Sequence, residues 1–486
     1  MVDEGLHFHR FVTTTRGRRC RPPGRTSFNR PLLRFVLRYS VAPCEPFPPS
    51  PPLPSLSATL IDVLSPGQLI SLSIEKPAAG GPMIARVDGQ VVLVSGAIPG
   101  ERVSARIDRL GKGVAYAQAV AIEESSGDRR EPFADPRCGG CTYSHIAYPR
   151  QLEIKAQVIA DAFVRIGRLT LPNDVRVAAS REEGYRMRAR FHVLNGRAGF
   201  FREGSHEVCD ARVSRQILPE TAAAVEAITD RLQMSGLSSS VGDLEVSENV
   251  DGSARAVHLT TIGPVAEARL SPLQGIDGVT GLSFGGEIRL EILDGTPYVT
   301  DMLTVGGRAV TLRRHVLAFF QANRFLLASL VDHVCSRTAP NGTLVDLYAG
   351  VGVFAVSAAV SRGSRVIAVE GDRVAAQDLD ANAVQATGTL EAVHQSVEAF
   401  TEQTSVRPGT LIVDPPRTGM SKAALSGAIN LRARQILYVS CDVATLARDA
   451  RRLVDAGYAL TRIEAFDLFP NTPHVEAVAE FENLRI

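Results

Sequence analysis

The chain has 486 residues, with 53 Lys and Arg against 52 Asp and Glu and a hydrophobic content of 45%. That length predicts roughly two to four domains, and no apolar run approaches the ~20 residues of a helical bilayer span, which excludes a helical membrane protein. Residues 1–57 hold nine arginines and three acids, so the other 44 basic and 49 acidic side chains leave the rest about five charges negative. Overall basicity therefore carries no nucleic-acid argument, and phosphate binding has to come from local patches. The seven cysteines are odd in number and scattered. This reads against a secreted disulfide framework and for a reducing, cytoplasmic setting.

Residues 1–57 are rich in Arg and Pro and show no sustained periodicity. They read as a disordered tail, as translated sequence upstream of the true start, or as an organelle transit peptide, which is also Arg-rich and poor in acids. Residues 58–125 alternate in Gly67–Glu75 and Gly89–Ser95, with Gly-Pro turns between, and predict a small N-terminal OB-type β-barrel. Arg102, Arg106, Arg109 and Lys112 fall along one run of it, as a solvated face or an RNA platform. Residues 126–310 carry Cys138-Gly-Gly-Cys141, a helical stretch over 148–166, and strand-like runs such as Arg188–Leu194 and Val257–Ile262. They predict a mixed α+β domain with an antiparallel sheet. Here Arg186, Arg188, Arg190 and Arg202 are candidate phosphate contacts.

Residues 311–486 change character. Apolar strands at 343–348, 365–370, 410–414, 435–440 and 459–464 alternate with helical lengths. Continuous apolar strands separated by helices predict an α/β, Rossmann-like parallel sheet covered on both faces. Ligands then bind at the carboxyl ends of the strands.

Three motifs sit at those ends. Asp346-Leu-Tyr-Ala-Gly350-Val-Gly352 follows the first strand. Gly350 and Gly352 allow a tight turn and close backbone approach. Glu370 ends the second strand, where a carboxylate can accept hydrogen bonds from both ribose hydroxyls. The loop lacks the full dinucleotide fingerprint, so S-adenosylmethionine is the expected ligand. Asp414-Pro-Pro-Arg417 ends the next strand, its prolines fixing the backbone around the acid. Methylases of amino groups commonly have an aromatic residue in the fourth position; Arg417 there points to a different target atom. Cys441 ends the strand after that. A thiolate can add to C6 of uracil and make C5 nucleophilic, after which a base must remove the C5 proton. Glu476 is the expected base, and Asp414 is expected to hydrogen-bond the ring. The thiol needs a lowered pKa, and Asp442 beside it is expected to oppose that.

Residues 66–486 resemble the bacterial RNA uracil-C5 methyltransferases. The matching strings are Phe320-Gln-Ala-Asn323, Asp346–Gly352, Val369-Glu370, Asp414-Pro-Pro-Arg-Thr-Gly419, Tyr438-Val-Ser-Cys-Asp442 and Phe469-Pro-Asn-Thr-Pro-His-Val-Glu476. The segment at 66–124 resembles a TRAM domain, an RNA-binding barrel. The resemblance implies Cys441 as nucleophile and Glu476 as base. It implies that Gln321, Tyr348, Glu370 and Asp414 contact S-adenosylmethionine or the target base, with Phe319 or Phe320 stacking on a ring. Ser396 is the nearest match to the acid or amide that the family offers to adenine. Ala349 replaces a usual Cys, and Asp442 a usual Asn. Ribosomal members carry a [4Fe–4S] cluster on four cysteines. Cys138, Cys141 and Cys209 match three of them, and Phe133 stands where the fourth is expected.

The expectation is thus S-adenosylmethionine-dependent methylation of a uridine in structured RNA, 23S rRNA before tRNA, by a cytoplasmic, membrane-free monomer. Two other readings stay open. An RNA cytosine-C5 methyltransferase would normally show a second Cys beside Asp-Pro-Pro. An RNA-binding protein of the same fold would lack turnover.

Overall fold

The structure is a computed structural model that describes residues 64–486 apart from 287–289, 387 and 486. The expected tail at 1–57 lies outside the described residues.

The first strands are β1 (Leu69–Ser73), β2 (Lys76–Pro77), β3 (Met83–Val87), β4 (Gln90–Ser95), β5 (Arg102–Gly111) and β6 (Val114–Glu124). They form one sheet in the order β1-β5-β6-β4-β3-β2, antiparallel except for β4 with β6. Period-two alternation sends Val103, Ala105 and Ile107 of β5 inward, where they meet Leu72, Val92, Val94 and Ala117 in one core. The outward basic run is partly neutralised. Arg102 pairs with Glu123 at 3.2 Å and Arg106 with Asp108 at 3.5 Å, while Arg109 lies over the Tyr116 ring at 3.4 Å.

Helix α1 (Tyr148–Ala162) carries Pro in its first turn, where the missing N–H costs nothing. Its apolar stripe of Val158, Ile159 and Ala162 packs into the C-terminal core rather than the central one. The strand after it, β7 (Val177–Ala178), joins the edge of the C-terminal sheet. The stretch 148–178 is therefore built into the C-terminal layer, because its apolar face is buried there.

The central sheet comprises β8 (Arg188–Leu194), β9 (Arg197–Phe201), β10 (Val208–Asp210), β11 (Val241–Glu248), β12 (Arg255–Thr261), β13 (Gly281–Gly285) and β14 (Leu290–Gly295). Its order is β10-β9-β8-β11-β12-β13-β14, antiparallel except for β12 with β13. Helix α2 (Pro219–Met234) covers one face through Ala222, Val225, Ile228 and Leu232; a one-turn helix, α3 (Glu267–Leu270), closes the rim. The hairpin of β15 (Tyr298–Val305) and β16 (Arg308–His315) packs Leu303, Val305, Val310 and Leu312 against the helices of the C-terminal layer. A buried ionic network joins it to the central sheet: Arg314 reaches Asp301 at 2.7 Å and also Ser247 and the Glu248 carbonyl. The Glu248 carboxylate takes both Arg255 and Arg324.

The C-terminal layer then runs α4 (Leu327–Arg337), β17 (Leu344–Leu347), α5 (Val353–Arg362), β18 (Val366–Glu370), α6 (Arg373–Ala383), β19 (Leu390–His394), α7 (Val397–Gln403), β20 (Thr410–Val413), α8 (Lys422–Asn430), β21 (Gln435–Ser440), α9 (Val443–Asp455), β22 (Tyr458–Phe466) and β23 (Glu476–Asn483). The sheet order is β19-β18-β17-β20-β21-β23-β22-β7. Strands β17 to β21 are parallel, and β17, β18, β20 and β21 are buried on both faces, while β19 forms a half-exposed edge. The sheet is not parallel throughout, since β23 runs antiparallel to both β21 and β22. A short turn joins β22 to β23, too short for the helical crossover that a parallel pair needs.

That turn, 467–475, is held from all sides. The Lys155 ammonium and the Asp467 carboxylate are both fully buried and 2.5 Å apart. Lys155 also donates to the Phe469 carbonyl at 3.1 Å, and Asn323 donates to the Leu468 carbonyl at 3.2 Å. Asn471 sits at φ 63°, a left-handed conformation that Asn tolerates. Its side-chain oxygen accepts from Gln151 at 2.9 Å and Arg130 at 2.7 Å. In the first sheet, the turn at Gly81 leaves a would-be Cβ only 3.2 Å from Pro473. Removing one member of a buried pair strands the other charge. Lys155→Met is expected to lower stability by about 3–5 kcal/mol in urea unfolding. Lys155→Met with Asp467→Leu is expected to recover most of that loss.

Candidate active site

Strand register brings the chemistry together. Val413 pairs with Tyr438 in the parallel pair β20–β21, so Asp414 and Cys441 leave the same edge of the sheet. Ser440 pairs with Ala477 across the antiparallel pair β21–β23, so Cys441 and Glu476 sit at adjoining strand ends. Gln321 comes from the loop before α4, and its amide donates to Asp414 at 3.3 Å. The Arg417 guanidinium faces the Cys441 thiol and lies 3.4 Å from the His474 ring nitrogen.

Burial dominates the electrostatics. It pushes the Cys441 thiol up to about 12; Glu476 and Asp414 add to that, and Arg417 opposes it. Burial raises Asp414 to about 7 against the pull of the Gln321 hydrogen bond. Glu476 is pushed well above the ordinary carboxylate range by burial and by Asp414, with Arg417 pulling it back. Burial and the Arg417 charge push His474 down to about 4, so its ring is neutral at neutral pH. The site is thus a set of acids around one thiol, with the Arg417 cation beside them.

Asp442 has a different role from the one expected. Its carboxylate caps α9, accepting from Ala444 N–H at 3.0 Å and Thr445 N–H at 2.8 Å. The charge is spent on the helix start, and the carboxylates that raise the thiol are those of Glu476 and Asp414. Sequence reasoning left the activating cation unassigned. Its signal was the fourth position of Asp-Pro-Pro-Arg417.

The glycine loop lies beside the acids. Gly350 stands at φ 56° with open space where a Cβ would be, and its N–H donates to Glu370 at 2.7 Å. The second Glu370 oxygen accepts from Asp372 N–H at 2.6 Å. A Cβ on Gly352, at φ 93°, would lie 2.6 Å from Val356 and 2.8 Å from Leu379. These features fit a ligand with a ribose: an open backbone N–H loop and an oriented carboxylate. Tyr348 takes φ 65° at the end of β17. Ser396 caps α7, its hydroxyl accepting from Ala399 N–H at 3.2 Å. Asp346, passed over as a site group in the sequence, is fully buried, and burial together with Asp414 and Glu370 holds its carboxyl well above the usual range. The two phenylalanines divide: Phe320 is 3% exposed and belongs to the core, while Phe319 is 64% exposed beside the site.

The cysteines away from this site fall into two kinds. Cys335 is buried and packs on the Phe354 carbonyl as a small hydrophobe. The Cys138 thiol hydrogen-bonds with both Cys141 and Cys209. Among the described residues, no group of three or more His, Cys, Asp or Glu is arranged to hold a metal ion. Phe133, in the fourth-ligand position, lies under the Arg215 guanidinium at 5.0 Å. Three thiols without a fourth donor do not fit a [4Fe–4S] cluster. Of the arginines singled out as phosphate contacts, Arg202 pairs with Asp135 at 2.7 Å and Glu207 at 2.8 Å, and Arg186 donates to Gln216 at 2.9 Å.

A carboxyl whose folded pKa lies above its unfolded one makes the folded state bind extra protons. Its stabilising effect is full at low pH and is lost as pH rises from the ordinary 3.8 toward about 7 for Asp414. The stability difference between the wild type and Asp414→Asn is therefore expected to move against the wild type from pH 5 to pH 8. Thermal unfolding across that range measures it.

The tRNA (Uracil-5-)-methyltransferase family model matches residues 284–482, and the TRAM domain model matches residues 64–120. The 23S rRNA (uracil(1939)-C(5))-methyltransferase RlmD of Halomonas elongata is 32% identical, over 85% of this chain and 89% of its own. An uncharacterized RNA methyltransferase of Thermotoga maritima is 30% identical, over 84% of this chain and 98% of its own. The solved structure of Pyrococcus abyssi tRNA (uracil-54, C5)-methyltransferase, in complex with S-adenosyl-L-homocysteine, shares the fold. It has a TM-score of 0.67 and 23% identity, over 84% of this chain and 99% of its own.

Proposed function

The chain belongs to the RNA uracil-5-methyltransferase family, and on that premise we propose that it methylates C5 of a uridine in structured 23S rRNA through a transient bond between Cys441 and C6. The convergence of Cys441, Glu476, Asp414 and Arg417 at adjoining strand ends carries this reading. The preference for ribosomal RNA rests on the similarity to the Halomonas relative, which runs through the TRAM-like segment. The RNA is met in the cytoplasm. No described helix is long and apolar enough to cross a membrane.

S-adenosylmethionine, when bound, supplies an electrophilic methyl group. Glu370, oriented by the Gly350 N–H, would hold its ribose end, and Tyr348 and Ser396 would line the adenine side. The target base leaves its stack to reach the half-buried Cys441 thiol. Arg417 stabilises the thiolate, whose sulfur adds to C6. The C5=C6 electrons move toward the ring oxygen. Asp414, titrating near neutrality, keeps a proton with which to hydrogen-bond that oxygen. After C5 is methylated, ionised Glu476 takes the C5 proton. The freed pair rebuilds C5=C6 and expels the Cys441 sulfur. A fluorine at C5 cannot leave as a proton, so the adduct then persists.

With 5-fluorouracil-substituted RNA and S-adenosylmethionine, the wild type is expected to form a denaturation-resistant complex that Cys441→Ala cannot form. Full methylation by Cys441→Ala sinks the reading. Mass spectrometry of nucleosides from 23S rRNA and tRNA of a deletion strain identifies the RNA. Arg417→Gln is expected to shift the pH profile of adduct formation upward. Each unit of rise in the thiol pKa costs about tenfold in rate at neutral pH.

A further inference from the structure

Strand β8 starts at the active site and runs away from it. At its start, Met187 N–H donates to the Ala322 carbonyl at 2.8 Å, and Arg188 donates to the Ala318 carbonyl at 3.0 Å. Both acceptors flank Phe319 and Gln321. Ala189, Phe191 and Val193 of β8 enter the core under α2. Arg188, Arg190 and His192 therefore share the opposite face. Over β12 that face is covered, where Ala256 packs with Val299 and Val316 around the β15–β16 hairpin. Over β8 and β9 it is open, with the Arg190 side chain 49% exposed and that of His192 35%.

What lies on the open part is specific. The His192 and Phe201 rings stack at 3.7 Å with an interplanar angle of 11°. Exposed His206 meets the Phe201 ring edge-on at 5.5 Å. Asp243 holds the arrangement, taking Arg190 and the His192 ring, each at 2.7 Å. Nearer the site, the Arg188 guanidinium lies 5.9 Å from the ring of exposed Phe319. The face therefore begins and ends in surface rings, with guanidinium groups between. A purely solvated sheet face has no use for surface aromatics, and a peptide strand would need a free sheet edge rather than a face. Rings alternating with arginines match bases that stack and phosphates that need charge.

We propose that the open face of β8 and β9, from Phe319 past Arg188 and Arg190 to the His192–Phe201 stack, carries the single-stranded RNA next to the target uridine. This rests on the methyltransferase reading, whose site supplies one end of the track. Every base has a ring face, so this contact tolerates sequence and selects for strands that are not paired. The face thereby favours uridines in loops over those in continuous duplex.

The test uses the full chain with Phe201→Leu and His192→Gln, which keep bulk and the hydrogen bond to Asp243 but remove the stack. Fluorescence anisotropy compares two RNAs. The short one ends beside the target uridine, and the long one adds a single-stranded extension. The wild type is expected to bind the long RNA more tightly, and the double variant to lose about tenfold on the long RNA and nothing on the short one. Unchanged affinity for the long RNA overturns the proposal, and so does an equal loss on both RNAs. Adduct trapping on the short RNA separates the two readings. If the adduct forms while the double variant binds the long RNA normally, the track fails and the chemistry stands. If no adduct forms while the length effect depends on the stack, the chemistry fails and the track stands.

Discussion

The buried pair of Lys155 and Asp467 is the constraint on which the site depends. Glu476 is the first residue of β23, and its position is set by the turn that precedes it. That turn is tied to α1 through Lys155 and Gln151, to the loop before α4 through Asn323, and to the first sheet through Pro473 and the Gly81 turn. The first sheet, α1 and the loop before α4 meet at this loop. A pair so deeply buried contributes little net stability over a well-packed apolar pair, but it permits few alternative arrangements. The cost of misplacing either charge keeps the loop in one register, and with it the carboxylate beside the thiol.

Such a site is tuned by dryness. Burial raises the thiol and the three acids together, against Arg417, the Gln321 amide and the Ala355 backbone hydrogen bond to Asp346. Burial therefore favours the protonated acids at rest, and in the proposed mechanism Asp414 serves as a donor and Glu476 becomes a base only when its surroundings change. A cationic cofactor next to these acids changes them in that direction. The two halves of the proposed chemistry, thiol attack and proton removal, thus ask for the same electrostatic shift.

Much of this was legible in the sequence. Cys441, Asp414 and Glu370 each end a continuous apolar strand, and strand ends are where such a sheet exposes its chemistry. The helices announced themselves too: Val443, Leu446, Ala447, Ala450 and Leu453 trace the buried stripe of α9. Other features were misread for identifiable reasons. The strand at 459–464 looked like one more parallel member, since an apolar strand has the same composition in either direction, and the strand at 476–483 was not read as one. Asp442 looked like a neighbour that would oppose the thiolate, because adjacency along the chain says nothing about where a carboxylate points. Residues 148–178 looked central, because a helix's apolar stripe does not name its partner.

The sequence by itself determined most of the element types, the glycine loop, the strand-end positions of Cys441 and Asp414, and the family, because these depend on periodicity and on local motifs. Tertiary structure decided which charges meet. That Arg417 faces the thiol, that Phe319 is exposed while Phe320 is buried, that three cysteines converge with no fourth ligand among the described residues, and that His192 and Phe201 stack are facts of packing between segments far apart in the chain. Pairwise contact and burial depend on three-dimensional distance, which local patterns of residues do not encode.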